Sequence, residues 1–220
     1  MKKILTFCAC LCFFSGFAAA QQDDSSRVYI GANISQSFEN FSYDYFMDSF
    51  STKQSADDNK ILDGPRYDFT AGYRFGSKIR MEAQYIIISA RTFEMDKEAS
   101  DVEYKATAVF ANLIFDFWDA QKSIITPFIG AGIGIGSPNL KLSVHSLEEE
   151  SKTNGFSWQV QGGFNLKLTD WLIVNVKYSY ITLPGIENNF DESQVGDDNY
   201  LKSKFKEGVQ AVGAGITLLL

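Results

Sequence analysis

Residues 125–136 read Ile-Thr-Pro-Phe-Ile-Gly-Ala-Gly-Ile-Gly-Ile-Gly, and this stretch decides the fold. From Ile125 every second residue is Ile, Pro or Ala, whereas the positions between them carry Thr, Phe and then four glycines. Successive side chains of a β-strand point to opposite faces of the sheet. The stretch therefore predicts a strand with one apolar face and one face of mainly small residues.

The same period of two recurs in other parts of the chain. Including the first stretch, eight segments alternate in this way, and eight is an even number. The predicted strands are residues 28–35, 67–75, 79–88, 109–117, 125–136, 156–168, 172–180 and 212–220. Hydrophobic residues make up 45% of the 220 residues, which excludes a disordered chain.

Short and long connections alternate strictly between these segments. The short ones are residues 76–78, 118–123 and 169–170, and the long ones are residues 37–66, 90–103, 137–154 and 182–204. This pattern predicts an all-β fold, an eight-stranded antiparallel up-and-down transmembrane β-barrel with short periplasmic turns and long extracellular loops. A strand of about ten residues tilted by about 40° spans roughly 25 Å, the height of the apolar band in such barrels.

The alternation alone does not decide which face is outside, because a soluble barrel with an apolar interior has the same pattern. Aromatic residues near the strand ends favour an apolar exterior, since outer-membrane barrels carry aromatic girdles there. The opposite face holds many glycines and charges of both signs, which suit a crowded interior. We therefore predict a barrel in the cell outer membrane of a Gram-negative-type bacterium, with the soluble barrel or sandwich as the alternative.

The first twenty residues have the features of a secretory signal peptide. A basic start is followed by an apolar stretch and by three alanines, after which the sequence becomes polar. We expect cleavage between Ala20 and Gln21, leaving residues 21–220 as the barrel domain. All three cysteines lie in the predicted leader, so the mature chain would contain none.

Four stretches resemble the eight-stranded outer-membrane barrel family that includes opacity proteins, related surface antigens and the barrel domain of outer membrane protein A. They are Arg27-Val-Tyr-Ile-Gly-Ala-Asn, Phe69-Thr-Ala-Gly-Tyr-Arg-Phe, Thr126-Pro-Phe-Ile-Gly-Ala-Gly-Ile-Gly and Phe164-Asn-Leu-Lys-Leu-Thr-Asp-Trp. The resemblance implies a monomer that contacts outer-membrane lipid and lipopolysaccharide and is inserted by the barrel assembly machinery. It further implies loops that contact a host or envelope ligand.

The charge distribution bears on function. The net charge of −7 argues against a nucleic-acid partner. The four long loops hold 19 acidic and 9 basic residues, so the excess negative charge is expected on the outer rim. Divalent-cation binding by the acidic loops is an alternative, but no dedicated calcium motif occurs. We predict no cofactor and no metal site.

One enzymatic alternative depends on the single histidine of the chain. His145 lies between Ser143 and Ser146, shortly before three glutamates, and such a set can support acyl transfer. A solvated loop histidine explains the same residue without catalysis. We therefore expect a non-enzymatic surface protein, with a lipid A or phospholipid-modifying enzyme as the alternative.

Two groups of residues are candidate functional sites. Five charged residues are predicted to point into the barrel and pair there: Arg74, Arg80, Glu82, Lys167 and Lys177. The alternative for this network is a narrow channel. Four aromatics in the first long loop are predicted to form an interaction surface, with strand extension or a folded cap as alternatives: Phe41, Tyr43, Tyr45 and Phe46.

Overall fold

The structure, a computed structural model, describes only part of the chain. The described ranges are residues 27–40, 43–45, 54–56, 61–95, 100–119, 122–144, 147–189 and 202–220. The predicted cleavage site at Ala20 and Gln21 lies outside these ranges, and so do Phe41, Phe46 and His145. For Tyr43 and Tyr45 the backbone alone is described.

The described residues are almost entirely β-strand. The strands are β1 (Arg27–Asn40), β2 (Tyr43–Tyr45), β3 (Gln54–Ala56), β4 (Ile61–Phe75), β5 (Ile79–Met95), β6 (Ser100–Asp116), β7 (Ile125–Val144), β8 (Leu147–Lys152), β9 (Gly155–Lys167), β10 (Leu172–Asn189) and β11 (Lys202–Leu219). Among these residues there is no helix long and apolar enough to cross a membrane.

Eight long strands form a closed antiparallel barrel. Each pairs with its neighbours in the order β1, β4, β5, β6, β7, β9, β10 and β11, and β11 pairs back onto β1. The three short strands lie outside this ring. β2 pairs with β11, β3 pairs with β2, and β8 pairs with the long-loop end of β7. The predicted fold class is therefore confirmed, with three short additional strands.

The two ends of the barrel differ. At the short-turn end lie the connections after β4, β6 and β9, together with the start of β1 and the end of β11. Gly76 opens the turn between β4 and β5 with a φ of 63°, a conformation that glycine adopts without steric cost. At the opposite, long-loop end lie the remaining connections.

The strands are longer at the long-loop end than the sequence predicted. The predicted loop boundaries were wrong there, since β7 continues to Val144, β6 begins at Ser100 and β10 continues to Asn189. Backbone pairing continues past the region in which the outward face is apolar. In the extensions the apolar residues lie on the inward face instead, since Tyr104 and Ala106 of β6 are buried whereas Lys105 between them is half-exposed. The sequence analysis followed an apolar outward face and therefore ended these strands too early.

The apolar face of the barrel points outward, as predicted. On β7 the outward side chain of Ile129 is 53% exposed, whereas on β4 the inward Asp68 is completely buried. Large outward apolar side chains occur on every barrel strand, for example Ile30, Phe69, Met81, Val109, Ile129, Phe164, Val176 and Ile216. This inversion of the usual arrangement makes a hydrophobic belt, which requires a hydrocarbon environment.

Glycines on β7 allow close packing inside the barrel. A Cβ atom added to Gly132 would lie 2.9 Å from the backbone oxygen of Ala111 and would collide with the Asn112 side chain. Larger residues on the neighbouring strands can therefore occupy the space over β7.

The belt predicts a depth-dependent effect of charge. Ile129→Arg, near the middle of the belt on β7, should lower the free energy of unfolding in lipid vesicles by about 2–4 kcal/mol, because a lipid-facing cation is costly at the bilayer midplane. Ile124→Arg makes the same change at the short-turn rim, where Ile124 is 69% exposed, and should cost about 0–1 kcal/mol. Denaturant unfolding measures both, and equal losses would contradict a lipid-facing belt.

Candidate functional site

An ion cluster fills the interior near the short-turn end. Arg80 of β5 donates a hydrogen bond from Nη1 to Glu82 Oε1 at 3.0 Å and another from Nη2 to Asp116 Oδ1 at 3.1 Å. Arg74 of β4 lies 3.9 Å from the same Asp116 carboxylate. We call this group, completed by Tyr29, the short-turn cluster. It joins strands β1, β4, β5 and β6.

Aromatic rings complete the surroundings of Arg80. Its guanidinium carbon lies 5.8 Å from the centre of the Tyr29 ring and 5.3 Å from that of Phe128, both within the range of cation–π attraction. The Tyr29 hydroxyl donates a 2.7 Å hydrogen bond to Glu82 Oε1. Arg80 is thereby held by two carboxylates and two rings, which leaves it little freedom to change rotamer.

A second ion cluster lies deeper in the barrel. Arg66 of β4 holds Asp68 through both carboxylate oxygens, at 2.7 and 3.0 Å, and donates from Nη1 to Ser179 Oγ at 2.8 Å. Lys177 Nζ lies 2.8 Å from Asp68 Oδ2. We call Arg66, Asp68, Lys177 and Ser179 the bridging cluster, because it connects β4 to β10.

Small residues on the strands in between allow this bridge. β1 and β11 separate β4 from β10 in the barrel wall. At this level their inward residues are Asn33 and Ser35 on β1, and Gly213 and Gly215 on β11. The long side chains of β4 and β10 therefore meet above the small inward residues of β1 and β11. Their contact links four consecutive strands of the barrel.

Side-chain amides form a third group, on the other side of the interior. Asn112 Nδ2 donates to Gln84 Oε1 at 2.8 Å, and Gln159 Nε2 donates to Gln84 Oε1 at 2.7 Å and to Asn112 Oδ1 at 2.5 Å. Gln84, Asn112 and Gln159 come from β5, β6 and β9, so they span β7 with its glycines. This is the same arrangement of large side chains meeting over small ones.

Towards the long-loop end the interior becomes apolar. The inward residues there are almost completely buried: Ile86, Ile88, Tyr104, Ala106, Ile181, Leu183 and Val209. Ile86 and Ile88 are directly opposite Asp68 and Arg66 in the β4–β5 pairing, so these apolar side chains border the bridging cluster. The sequence analysis described the interior by its charges and small residues, and this apolar layer was not anticipated.

The predicted network residues occupy two clusters and one rim position. Arg74, Arg80 and Glu82 lie in the short-turn cluster, and Lys177 lies in the bridging cluster. Lys167 lies at the end of β9, where its Nζ is 2.8 Å from the exposed Asp170. It is therefore at the rim of the interior, away from the ion pairs of the two clusters.

Sequence reasoning also missed some partners. Arg66 was counted with the first long loop but is completely buried. Arg66 lies on the same inward face as Asp68 and Arg74, so the alternation of the strand includes it. It was missed because it precedes the first apolar residue of the predicted strand. Asp116, which pairs with Arg74 and Arg80, was not among the five predicted network residues.

The loop candidates are described only in part. Tyr43 and Tyr45 belong to β2, where Tyr43 pairs with Phe205 of β11 and with Ala56 of β3. This places part of the aromatic segment in strand structure at the barrel rim. Next to His145, β7 continues through Val144, so this part of the predicted third long loop is strand. Over the described ranges, no three His, Cys, Asp or Glu residues come together as a metal site.

Comparison with known proteins gives a family and several solved structures with a similar fold. A family model described as "Outer membrane protein beta-barrel domain" matches residues 6–207. The fold is similar to that of the outer membrane protein OprG from Pseudomonas aeruginosa, with a TM-score of 0.58, 13% identity, and coverage of 88% of this chain and 96% of that one. No curated protein matches the sequence.

Two further structures show how widely this fold is used. Ail, the attachment invasion locus protein of Yersinia pestis, gives a TM-score of 0.50 at 16% identity and covers 88% of this chain and 99% of its own. The outer membrane protease OmpT from Escherichia coli gives 0.52 at 6% identity, covering 92% and 99%. At such identities the likeness establishes the fold alone, since one fold carries unrelated activities.

The bridging cluster predicts a strong dependence on Asp68. Asp68→Asn leaves the Arg66 and Lys177 cations buried without an anion, so we expect a loss of about 3–5 kcal/mol in the free energy of unfolding. Asp170→Asn removes the partner of Lys167 at the exposed rim, where the loss should stay below about 1 kcal/mol. Unfolding in detergent micelles or vesicles measures both. An Asp68→Asn variant that is as stable as the original chain would contradict a tightly coupled interior.

Proposed function

We propose, for a chain that belongs to the outer-membrane β-barrel family, a role as a non-enzymatic surface protein whose barrel anchors acidic extracellular loops. The membership agrees with the predicted location in the outer membrane of a Gram-negative bacterium. In this membrane the short-turn end faces the periplasm and the long-loop end faces outward. The loops would contact a host surface or other envelope components.

The observation that carries the proposal is the length of the strands on the extracellular side. β7 has 20 residues. At about 3.3 Å per residue and a tilt of about 40°, it rises roughly 50 Å, about twice the height of the apolar band. The sheet therefore projects well beyond the lipid. A barrel that served only to cross the membrane would not need this projection, whereas a barrel that presents loops to the surroundings would use it.

The filled interior supports an anchoring role over conduction. The two ion clusters contain four cationic and three anionic side chains, all in contact with an opposite charge, with Arg74 the most distant at 3.9 Å. An eight-stranded barrel is only wide enough for its own side chains. Opening a path would require separating these pairs, which is costly in a dry interior.

The loops supply the chemistry for contact. Without the buried Arg66, the predicted loop stretches hold 19 acidic and 8 basic residues, which would repel anionic surfaces and favour cationic or amphipathic partners. The aromatic residues of the first loop offer the side chains that dominate binding energy in protein interfaces. Because β2 pairs with β11, part of this aromatic segment stands on the rim of the sheet. Attachment, the activity for which the attachment invasion locus protein Ail is named, is one that such an arrangement could support.

Surface display tests the proposal. Bacteria lacking other adhesins would display either the full chain or a variant in which Phe41, Tyr43, Tyr45 and Phe46 are replaced by serine. We expect the full chain to increase attachment to epithelial monolayers or to purified bacterial envelopes several-fold, and the serine variant to lose most of that increase at equal surface abundance. A matched control replaces Trp118 and Trp171, on the periplasmic side, by serine.

Two parallel measurements examine the alternatives. Planar bilayers containing the purified chain should show no steady conductance, and lipid A from the displaying cells should have an unchanged mass spectrum. Attachment that does not depend on the chain or on the aromatic segment would contradict the proposal. A mass change in lipid A that His145→Ala abolishes would replace it with the enzymatic alternative.

A further inference from the structure

Backbone pairing between β4 and β5 stops before either strand ends. Their last pair towards the long-loop end is Arg66 with Ile88, although β4 begins at Ile61 and β5 continues to Met95. The next residue of β4 is Pro65, which has no N–H to donate to a neighbouring strand. Just after Ile88, β5 has a one-residue bulge in its pairing with β6, and a bulge bends the strand that carries it. We call this unpaired boundary the β4–β5 seam.

A second boundary of the same kind lies between β9 and β10. Their last pair is Trp158 with Thr182, although β9 begins at Gly155 and β10 continues to Asn189. Pro184 follows on β10, within a bulge in the pairing of β10 with β11. A Cβ atom added to Gly155 would lie 2.8 Å from the Cβ atom of Pro184, so side-chain packing closes this β9–β10 seam in place of backbone pairing.

The two seams divide the outer part of the barrel wall into two groups of four strands. The first half-wall consists of β5, β6, β7 and the strand formed by β8 and the start of β9, and the second consists of β4, β1, β11 and β10. Within each half-wall the strands pair well beyond the seams. Each long-loop connection joins two strands of the same half-wall, because the chain crosses from one half-wall to the other only at the short turns after β4 and β9. Over the described residues, no backbone pair crosses either seam beyond Ile88 and Trp158.

The interior contacts follow the same division. The bridging cluster joins β4 to β10, which are the two edge strands of the second half-wall. The hydrogen bond from Gln159 to Gln84 joins β9 to β5, the edge strands of the first. The short-turn cluster includes residues of both halves, but it lies at the opposite end of the barrel. Each half-wall is therefore braced internally, and the two are held together below the seams.

The seams begin near the outer edge of the apolar belt. Beyond the last pair of the β4–β5 seam, the next outward positions are Pro65 and Ser89, which do not belong to the belt. At the β9–β10 seam one belt residue, Phe156, lies beyond the last pair, and there Pro184 packs on the neighbouring Gly155. Outside the lipid, water hydrates unpaired backbone N–H and C=O groups, so an open boundary is tolerated there but not in hydrocarbon.

We propose that the two half-walls move against each other as rigid sheets, bending at the bulges of β5 and β10. Hinge motions are absorbed by a few residues between rigid elements, and the bulges at the two seams are such positions. Movement would change the distance between loops of different half-walls and leave loops of the same half-wall together. The inference goes beyond the proposed function, because the movement needs no partner.

The length of the half-walls sets the size of the effect. Ser143 of β7, which pairs with Glu148 of β8, lies seven residues beyond Gly136, and Gly136 pairs with Gly155 at the seam. Seven residues extend roughly 23 Å, so a rotation of about 15° displaces Glu148 by about 6 Å. Such a displacement is large enough to be measured between two spin labels.

Pulsed electron spin resonance on the whole chain in lipid nanodiscs tests the movement. Spin labels are attached to azidophenylalanine at Glu148 of the first half-wall and Ser203 of the second. The control pair is Glu94 and Glu148, the edge strands of the first half-wall at one level, since Glu94 pairs with Asp101, Asp101 with Ser143, and Ser143 with Glu148. Folding of each variant is checked by its resistance to unfolding in sodium dodecyl sulfate.

We expect the distance distribution of the pair across the seams to be broader than that of the control pair by about 5 Å, the displacement of a rotating half-wall. Equal widths of the two distributions would overturn the proposal. Fraying of the strand ends, which broadens both pairs alike, would give this contrary result.

A reversible lock provides the second measurement. The variant Gly155→Cys/Pro184→Cys places two thiols across the β9–β10 seam, where the Cβ atoms are close enough for a disulfide after a shift of about 1 Å. We expect the oxidised variant to narrow the distribution of the pair across the seams to the width of the control pair, and reduction to restore the broad distribution. A broad distribution that persists in the fully cross-linked protein would place the movement elsewhere and overturn the hinge.

Discussion

Closure of the sheet through β1 and β11 is the constraint on which the rest of the structure depends. In hydrocarbon there is no water to satisfy backbone N–H and C=O groups, so a sheet can cross a membrane only when it has no free edge. The pairing from Tyr29–Leu219 to Glu39–Val209 removes that edge. Once the ring is closed, every strand has one face towards lipid and one towards a narrow interior.

The narrow interior then determines how the inward residues combine. Large side chains cannot project from all eight strands at one level, so strands with small inward residues alternate with strands that carry long ones. The small inward residues of β1 and β11 leave room for the bridging cluster. The glycines of β7 leave room for the side-chain amides of Gln84, Asn112 and Gln159. Charges in this space must be nearly balanced, because a buried ion without a partner is strongly destabilising. The same packing fills the interior of the barrel. A filled interior supports a barrel that anchors loops over one that conducts.

The outside of the barrel divides into regions with different surroundings. The apolar belt contacts acyl chains, and the extended strands carry acidic loops beyond the lipid. The proposed function follows this division, with partners met at the loops. A residue therefore contributes according to its height and face, and residues close in sequence can have unrelated roles, as Asp68 in the bridging cluster and Phe69 in the belt do.

The sequence by itself determined the strands within the membrane and the faces of their residues, because hydrophobic alternation is strongest where one face meets lipid. It therefore placed Arg74, Arg80, Glu82 and Lys177 inside. It did not give the strand ends beyond the lipid, where the apolar residues lie on the inward face, or the partners of each charge. Arg66 and Lys177 meet at Asp68 across two intervening strands, and Lys167 remains at the rim. These pairings depend on the register and closure of the barrel, so only the tertiary structure decided them.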